Sequence, residues 1–199
     1  MMGYQTMIFD VLERNNGIIT SKDCMKLKIP SVYLTRMLKN RRLEKVERGV
    51  YSTSEGDLDD YYFFQTHYSK AVYSFQSALY LHNMTDRIPF EKEITLYKGY
   101  NPHSIKQQQV ELHFVKKKIY EMGIMKIKTP YGNEVNVYDP ERTICDLIQH
   151  RSNIDCEIFR KALHCYLQRD DKNIPRLYEY ANNMNIHKQL DDIMVLLNG

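Results

Sequence analysis

Basic side chains crowd one short stretch of this 199-residue chain. In SVYLTRMLKNRRLEKVERGVYS, residues 31–52, Arg36, Lys39, Arg41, Arg42, Lys45 and Arg48 stand against only Glu44 and Glu47. Guanidinium and ammonium groups suit phosphate oxygens, and an arginine one turn into a helix can reach the O6 and N7 acceptors of guanine. Charge is also uneven along the chain. Residues 1–52 hold ten Lys/Arg and five Asp/Glu, a net of +5, while the remainder holds eighteen and twenty, a net of −2. A basic front on a near-neutral body points to an anionic partner met by the N-terminus. The competing reading is a solvated charged face, so the elements that carry these residues decide between the two.

Those elements are legible from periodicity and caps. Met7, Ile8, Val11 and Leu12 fall on one face of a helix over Tyr4–Arg14, stopped by Asn15, Asn16 and Gly17. Ile18–Thr20 is extended, and Ser21 is the expected N-cap of a short helix that turns Cys24 and Leu27 inward. Pro30 breaks it, because it disfavours helix at Ile29. Ser31 then caps a helix whose buried stripe is Leu34, Met37 and Leu38. Ser31, Val32, Thr35, Arg36 and Lys39 therefore face outward, with Tyr33 at the boundary. Leu43 and Val46, then Val50 and Tyr51, flank a hairpin tip at Gly49. Helix, strand, helix, turn, helix and basic hairpin is the order of a winged helix-turn-helix, which places its second helix in the major groove. The residues assigned to DNA are Ser31, Tyr33, Thr35, Arg36, Lys39, Arg41, Arg42, Lys45 and Arg48. Arg36 reads bases; Arg41, Arg42, Lys45 and Arg48 hold phosphates.

Residues 53–60, TSEGDLDD, read as a linker or the start of a helix. Beyond them YYFFQTHY and SFQSALYLHNM are helical, with a short buried strand at Ala71–Tyr73. EITLYKGY and VELHFV alternate as strands, and IMKIK and EVNVY form a hairpin around a Pro/Gly/Asn turn. Asp139 and Pro140 open a helix as cap and first residue. Amphipathic helices near Ile154–Leu167, Ile174–Met184 and Ile186–Leu197 complete the chain. The fold class expected is α/β of the α+β type. Residues 1–53 form the winged domain, 54–60 a linker, and 61–199 a C-terminal domain of mixed sheet and helices.

Other constellations carry less chemistry. Cys145, His150, Cys156, His164 and Cys165 lack the close ligand pairs of zinc sites; the cysteines read as reduced core residues of amphipathic helices, so no metal and no cofactor is expected. Asp57 and Asp59 have the D-x-D spacing of a metal-binding nucleotidyl-transfer site. The Gly-Ser turn that chemistry requires is missing, and helix capping by Asp57 accounts for the cluster. His82, Asp86 and Arg87 read as a turn held by side chains. Lys116, Lys117 and Lys118 follow a strand and read as a solvated edge guard in preference to a second nucleic-acid contact. No Walker loop, G-x-S-x-G or G-x-G-x-x-G occurs, so no catalytic residue is assigned. With 43% hydrophobic and 27% charged residues the composition is that of a soluble globular protein. No apolar run approaches the roughly 18 residues of a membrane span, and no signal peptide is read, so the expected compartment is the cytoplasm.

GIITSKDCMKLKIPSVYLTRMLKNRRLEKVERGVYS resembles the winged domain of AbiEi-type antitoxins of bacterial type IV (abortive infection) toxin–antitoxin systems. AVYSFQSALYLHNMTDR, KTPYGNEVNVYDPERTICDLI and IFRKAL are similar to that family's C-terminal region, in the same order. The resemblance implies a non-enzymatic, bifunctional phage-defence protein. Its winged domain would bind inverted repeats in its own promoter. The small size of that unit, set against the need to exceed non-specific binding, points to cooperative occupancy of DNA by a chain expected to be a monomer in solution. Its C-terminal domain would counter a nucleotidyltransferase-like toxin without a stable complex, and Lys116–Lys118 are the surface assigned to that role. Alternatives are a ligand-sensing or dimerising transcription factor, or a nucleotide- or RNA-acting enzyme with a winged docking module.

Overall fold

A computed structural model describes residues 3–15, 17–53 and 59–198, and it divides the chain into two compact units. Residues 1–67 together with 128–134 make the first, and residues 68–127 and 135–199 make the second. The proposed linker residues 54–58, including Gly56 and Asp57, lie outside the described residues.

The first unit contains α1 (Tyr4–Arg14), β1 (Ile18–Thr20), α2 (Ser21–Lys26), α3 (Val32–Lys39), β2 (Glu44–Glu47), β3 (Val50–Ser52) and α4 (Asp60–His67). Its three strands form an antiparallel sheet in the order β1-β3-β2. This is the winged helix-turn-helix order read from the sequence. Ile8, Leu12, Ile19, Cys24, Ile29, Leu34, Met37 and Leu43 make one buried cluster beneath it. Ile18, Val50 and Phe63 make a second, which fastens α4 to the sheet.

Two caps differ from expectation. Thr20, not Ser21, caps α2: its hydroxyl accepts from the Asp23 N–H at 3.1 Å, and the Asp23 carboxylate accepts from the Thr20 N–H at 3.0 Å. That reciprocal pair satisfies two otherwise unpaired donors, which Ser21 one residue later does not do. Asp59 stands immediately before α4 and accepts from the Tyr62 N–H, so this helix starts later than a cap at Asp57 would place it. Its carboxylate is fully buried and also accepts from the Thr129 hydroxyl and the Asn133 amide. Those bonds give Asp59 a structural role in place of the D-x-D metal chemistry.

The second unit contains β4 (Val72–Tyr73), α5 (Phe75–Leu81), β5 (Lys92–Tyr97), β6 (Val110–Val115), α6 (Lys117–Tyr120), β7 (Ile124–Lys128) and β8 (Glu134–Tyr138). Then follow α7 (Pro140–Gln149), α8 (Cys156–Gln168), α9 (Ile174–Asn183) and α10 (His187–Asn198). The five strands run in the order β6-β5-β4-β8-β7; β4 is antiparallel to β5 and parallel to β8, and β5 is parallel to β6. Leu79, Ile144, Leu147, Leu163, Tyr166, Leu177 and Leu190 knit α5 and the last four helices into one core.

Helix α7 is the hub. Asp139 caps it by accepting from the Arg142 N–H at 2.8 Å, with Pro140 at the first position as expected. The cap is itself held by the Tyr180 hydroxyl at 3.0 Å. Glu141, Arg142 and Asp146 are all buried, although each belongs to a type rarely buried without partners. Glu141 accepts from the Tyr166 hydroxyl at 3.1 Å and the Asn173 N–H at 2.8 Å. Arg142 donates through Nε to Asp146 at 3.0 Å and through Nη1 to the carbonyls of Ile119 and Met122, and its guanidinium lies 4.2 Å from the Tyr138 ring centroid. Burial drives the Asp146 carboxyl upward, and Arg142 beside it pulls the other way. Gly123, at φ +80°, is where this packing needs glycine: a Cβ there would stand 2.8 Å from the Arg142 Cβ.

His82 is the one part of the expected polar turn that is buried, and its Nε2 donates to the Tyr138 carbonyl at 2.7 Å. Arg87 instead pairs with Glu157 on the surface.

Replacing Arg142 by Ala strands the Asp146 carboxyl in the core without its counter-charge. Urea denaturation is expected to show a loss of about 3–5 kcal/mol, and the double variant Arg142→Met/Asp146→Leu is expected to recover much of it. Equal losses in both variants would show that packing, and not the stranded charge, sets the cost.

Candidate nucleic-acid interface

The apolar stripe of α3 sets which residues face solvent. Leu34 and Met37 are buried and Leu38 is half-buried, which leaves Ser31, Val32, Thr35, Arg36 and Lys39 exposed along the opposite face. Ser31 occupies the N-cap position without a side-chain cap bond. Instead its carbonyl accepts from the Thr35 N–H and hydroxyl, at 3.1 and 3.3 Å, so the Ser31 hydroxyl stays on the surface. Tyr33 is half-buried. Its ring centroid lies 5.0 Å from that of Tyr4, and the Arg36 guanidinium lies 5.6 Å from the same centroid. Tyr33 therefore belongs to the support of Arg36 more than to the outer face, a weak cation–π contact at an exposed site.

Helix α3 ends in a Schellman motif. The Arg41 N–H donates to the Leu38 carbonyl at 3.0 Å and the Arg42 N–H to the Met37 carbonyl at 2.9 Å. Arg41 itself takes φ +53°, the left-handed position that helix stops usually give to glycine or asparagine. Helix α2 stops in the same way, with Lys28 at φ +54° and bonds from Lys28 to Met25 and from Ile29 to Cys24. In the C-terminal unit the corresponding stops after α5 and α9 use Asn83 and Asn185. The two stops that bracket α3 thus spend the left-handed position on exposed basic side chains. A basic side chain suits the negative end of a helix, but it takes the left-handed backbone at a cost that glycine or asparagine would avoid.

The wing follows. Arg41, Arg42, Lys45 and Arg48 are exposed, and the β2–β3 register shifts between Lys45 and Glu47. Gly49 turns the tip at φ +82°, and its carbonyl accepts from the Ser21 N–H at 2.8 Å, which ties the wing to the start of α2. Between them lies an open cleft of about 510 Å³ lined in part by Lys22, Lys45, Arg48 and His67. Lys22 donates to the Thr66 carbonyl at 2.6 Å, and a His67 ring nitrogen lies 3.3 Å from the Arg48 carbonyl.

Lys22, Lys28 and His67 are the basic residues that sequence reasoning left out. The unusual residue at each helix stop was a readable signal for Lys28. His67 required the fold, since α4 brings it to the wing from nineteen positions away.

The C-terminal candidates are dispersed. Lys116, Lys117 and Lys118 are exposed around the start of α6, directly after the edge strand β6. Lys116 and Lys118 line a cleft of about 590 Å³ with Lys98, Gln149, His150 and Asn185. The core reading of the cysteines holds for Cys145, which is buried with its thiol pushed up by burial, but not for Cys156, which is exposed at the first position of α8, and only in part for Cys165, which is half-buried. Among the described residues no helix is long and apolar enough to cross a membrane.

These elements make the chain one of mixed sheet and helix with a winged N-terminal unit. Residues 7–53 match the family model described as a transcriptional regulator, AbiEi antitoxin, which supports the resemblance read from the sequence. No curated protein sequence matches the chain. The fold is similar to the crystal structure of the RV2827C protein from Mycobacterium tuberculosis, with a TM-score of 0.54 and 11% identity over 90% of this chain and 71% of that one.

The left-handed position of Arg41 yields a stability prediction. Arg41→Gly is expected to stabilise the fold by about 0.5–1 kcal/mol, since glycine pays no steric penalty there and loses only part of that gain to unfolded-state entropy. Thermal or urea denaturation checks it, and a destabilised Arg41→Gly protein would show that the side chain is held for folding.

Proposed function

We propose that this chain is a bifunctional antitoxin and transcriptional autorepressor. The winged unit binds inverted repeats in its own promoter, and the C-terminal unit counters a nucleotidyltransferase-like toxin without forming a stable complex. The observation that carries the DNA-binding half is the exposed polar face of α3, continuous with the basic Arg41–Arg48 run, inside the segment that matches an antitoxin regulator. In this reading Ser31, Thr35, Arg36 and Lys39 enter the major groove, with Arg36 braced from behind by Tyr33. Arg41, Arg42, Lys45 and Arg48 hold phosphates. Lys28 joins the phosphate contacts.

The protein is a monomer in solution and fills paired repeats cooperatively, because a winged unit this small needs more than one contact to exceed non-specific binding. The antitoxin half is assigned to the exposed Lys116–Lys118 surface. The family description points to a regulator and not to an enzyme. The second reading, a ligand-sensing regulator, draws on a cavity of about 390 Å³ in the C-terminal unit lined by Glu93, His113 and His150.

Fluorescence anisotropy on promoter and scrambled duplexes across salt concentrations tests the DNA reading. Arg42→Ala and Arg48→Ala are each expected to weaken binding to both duplexes and to lower the log–log salt slope by about 0.9. Arg36→Ala is expected to lose about 1–3 kcal/mol of discrimination between them. Equal loss on both duplexes would remove Arg36 from base reading, and unchanged slopes would remove the wing from the phosphate contacts.

A further inference from the structure

The parallel pairing of β5 and β6 sets Glu93 opposite Glu111 and Thr95 opposite His113. Side chains two apart on a strand share a face, so Glu93, Glu111 and His113 converge on one patch of the sheet. Their ligand atoms all lie within 4.8 Å of one another. The His113 Nε2 stands 3.3 Å from a Glu93 oxygen and 3.8 Å from a Glu111 oxygen. One proton on that nitrogen can bridge well to only one carboxylate. A dication can accept lone pairs from all three groups at once.

The surroundings prepare these groups further than an ion pair needs. Glu93 is buried, and its other oxygen accepts from the Gln76 amide at 2.9 Å, which leaves the first aimed at His113. Its backbone is strapped on both sides, by the Ser77 hydroxyl at 2.9 Å and by the Ser74 N–H at 3.0 Å. The His113 ring is stacked on Phe75, centroid to centroid at 3.9 Å. Phe75 holds φ +46°, a conformation bulky side chains rarely adopt, and there it also meets the edge of His150 at 5.1 Å. The strain is thus stored where the imidazole is oriented. A cavity of about 390 Å³ opens over the three groups and is also lined by His150 and Asp155. The His150 Nδ1 donates to the Asp146 carbonyl at 3.1 Å, so its Nε2 is the nitrogen left to act.

We infer that Glu93, Glu111 and His113 form a binding site for a divalent first-row transition ion, zinc being the best match, in the C-terminal unit. One imidazole with two carboxylates is a nitrogen–oxygen donor set suited to zinc, and three protein ligands leave an open position toward the cavity. Gln76 and Phe75 orient the ligands, and His150 faces a molecule held at the open position. This site was not legible as a metal motif, and it stands independently of the DNA-binding reading.

The test uses the full-length, tag-free chain with zinc(II) and cobalt(II) as probes. Equilibrium dialysis is expected to show one zinc per chain that millimolar magnesium does not displace, and X-ray absorption a shell of nitrogen and oxygen without sulfur. His113→Ala and Glu93→Gln are each expected to weaken binding at least tenfold, while Cys156→Ser leaves it unchanged. Glu111, at the exposed edge, supplies a variant that spares the core: Glu111→Gln is expected to weaken binding with the circular dichroism spectrum intact. Less than a tenth of an equivalent bound by the wild type, sulfur in the shell, or unchanged affinity in folded Glu111→Gln protein would each overturn the site.

Discussion

The C-terminal unit depends on one buried ion pair. Arg142 and Asp146 lie one turn apart on α7, both out of water, and neither is tolerable there alone. Removing both charges from solvent offsets much of what their attraction returns, and the Arg142 Nη2 and Asp146 Oδ2 find no hydrogen-bond partner among the described residues, so the pair works chiefly by dictating its surroundings. Arg142 fixes the chain around Ile119–Gly123 through two carbonyls and fixes Tyr138 through its ring. Asp146 belongs to the same helix turn whose carbonyl sets the orientation of His150. One side-chain pair thereby connects the α6–β7 segment, strand β8 and the wall of the cavity over His113.

The N-terminal unit follows the opposite rule. Apart from Asp59, the charged side chains described in it are not buried, and its core is the plain apolar set from Ile8 to Leu43. Its unusual expense is in the backbone, at Lys28 and Arg41, where glycine or asparagine would suit the helix stops better. The proposed division of labour matches these two designs. A small unit keeps basic groups on rigid helix ends, and a larger unit buries polar groups to hold a shaped surface.

Much of this was legible because the signals were local. Helix α1 has its expected bounds, Asp139 caps α7 with Pro140 behind it, and the inward stripe of α3 is the one its spacing requires. Where neighbouring residues offered the same chemistry, the sequence left a tie. Thr20 and Ser21 both suit an N-cap, and only the reciprocal bond with Asp23 separates them. The cluster of Glu93, Glu111 and His113 was hidden for a different reason. Glu93 stands eighteen and twenty positions from Glu111 and His113 and meets them only through the β5–β6 register, which no ligand spacing announces. The burial of Glu141, Arg142 and Asp146 was not legible, because burial of a charged helix face depends on α8, α9 and the loop before β7.

The account separates DNA binding from toxin neutralisation, and the most direct measurement is a toxicity assay with the Arg36→Ala/Arg48→Ala variant. The neighbouring toxin is expressed from an unrelated promoter, and circular dichroism confirms that the variant is folded. The account predicts growth equal to that with the wild-type antitoxin, together with loss of repression at the native promoter. A folded variant that no longer protects the cells would show that neutralisation runs through DNA binding and would contradict the division of roles between the two units.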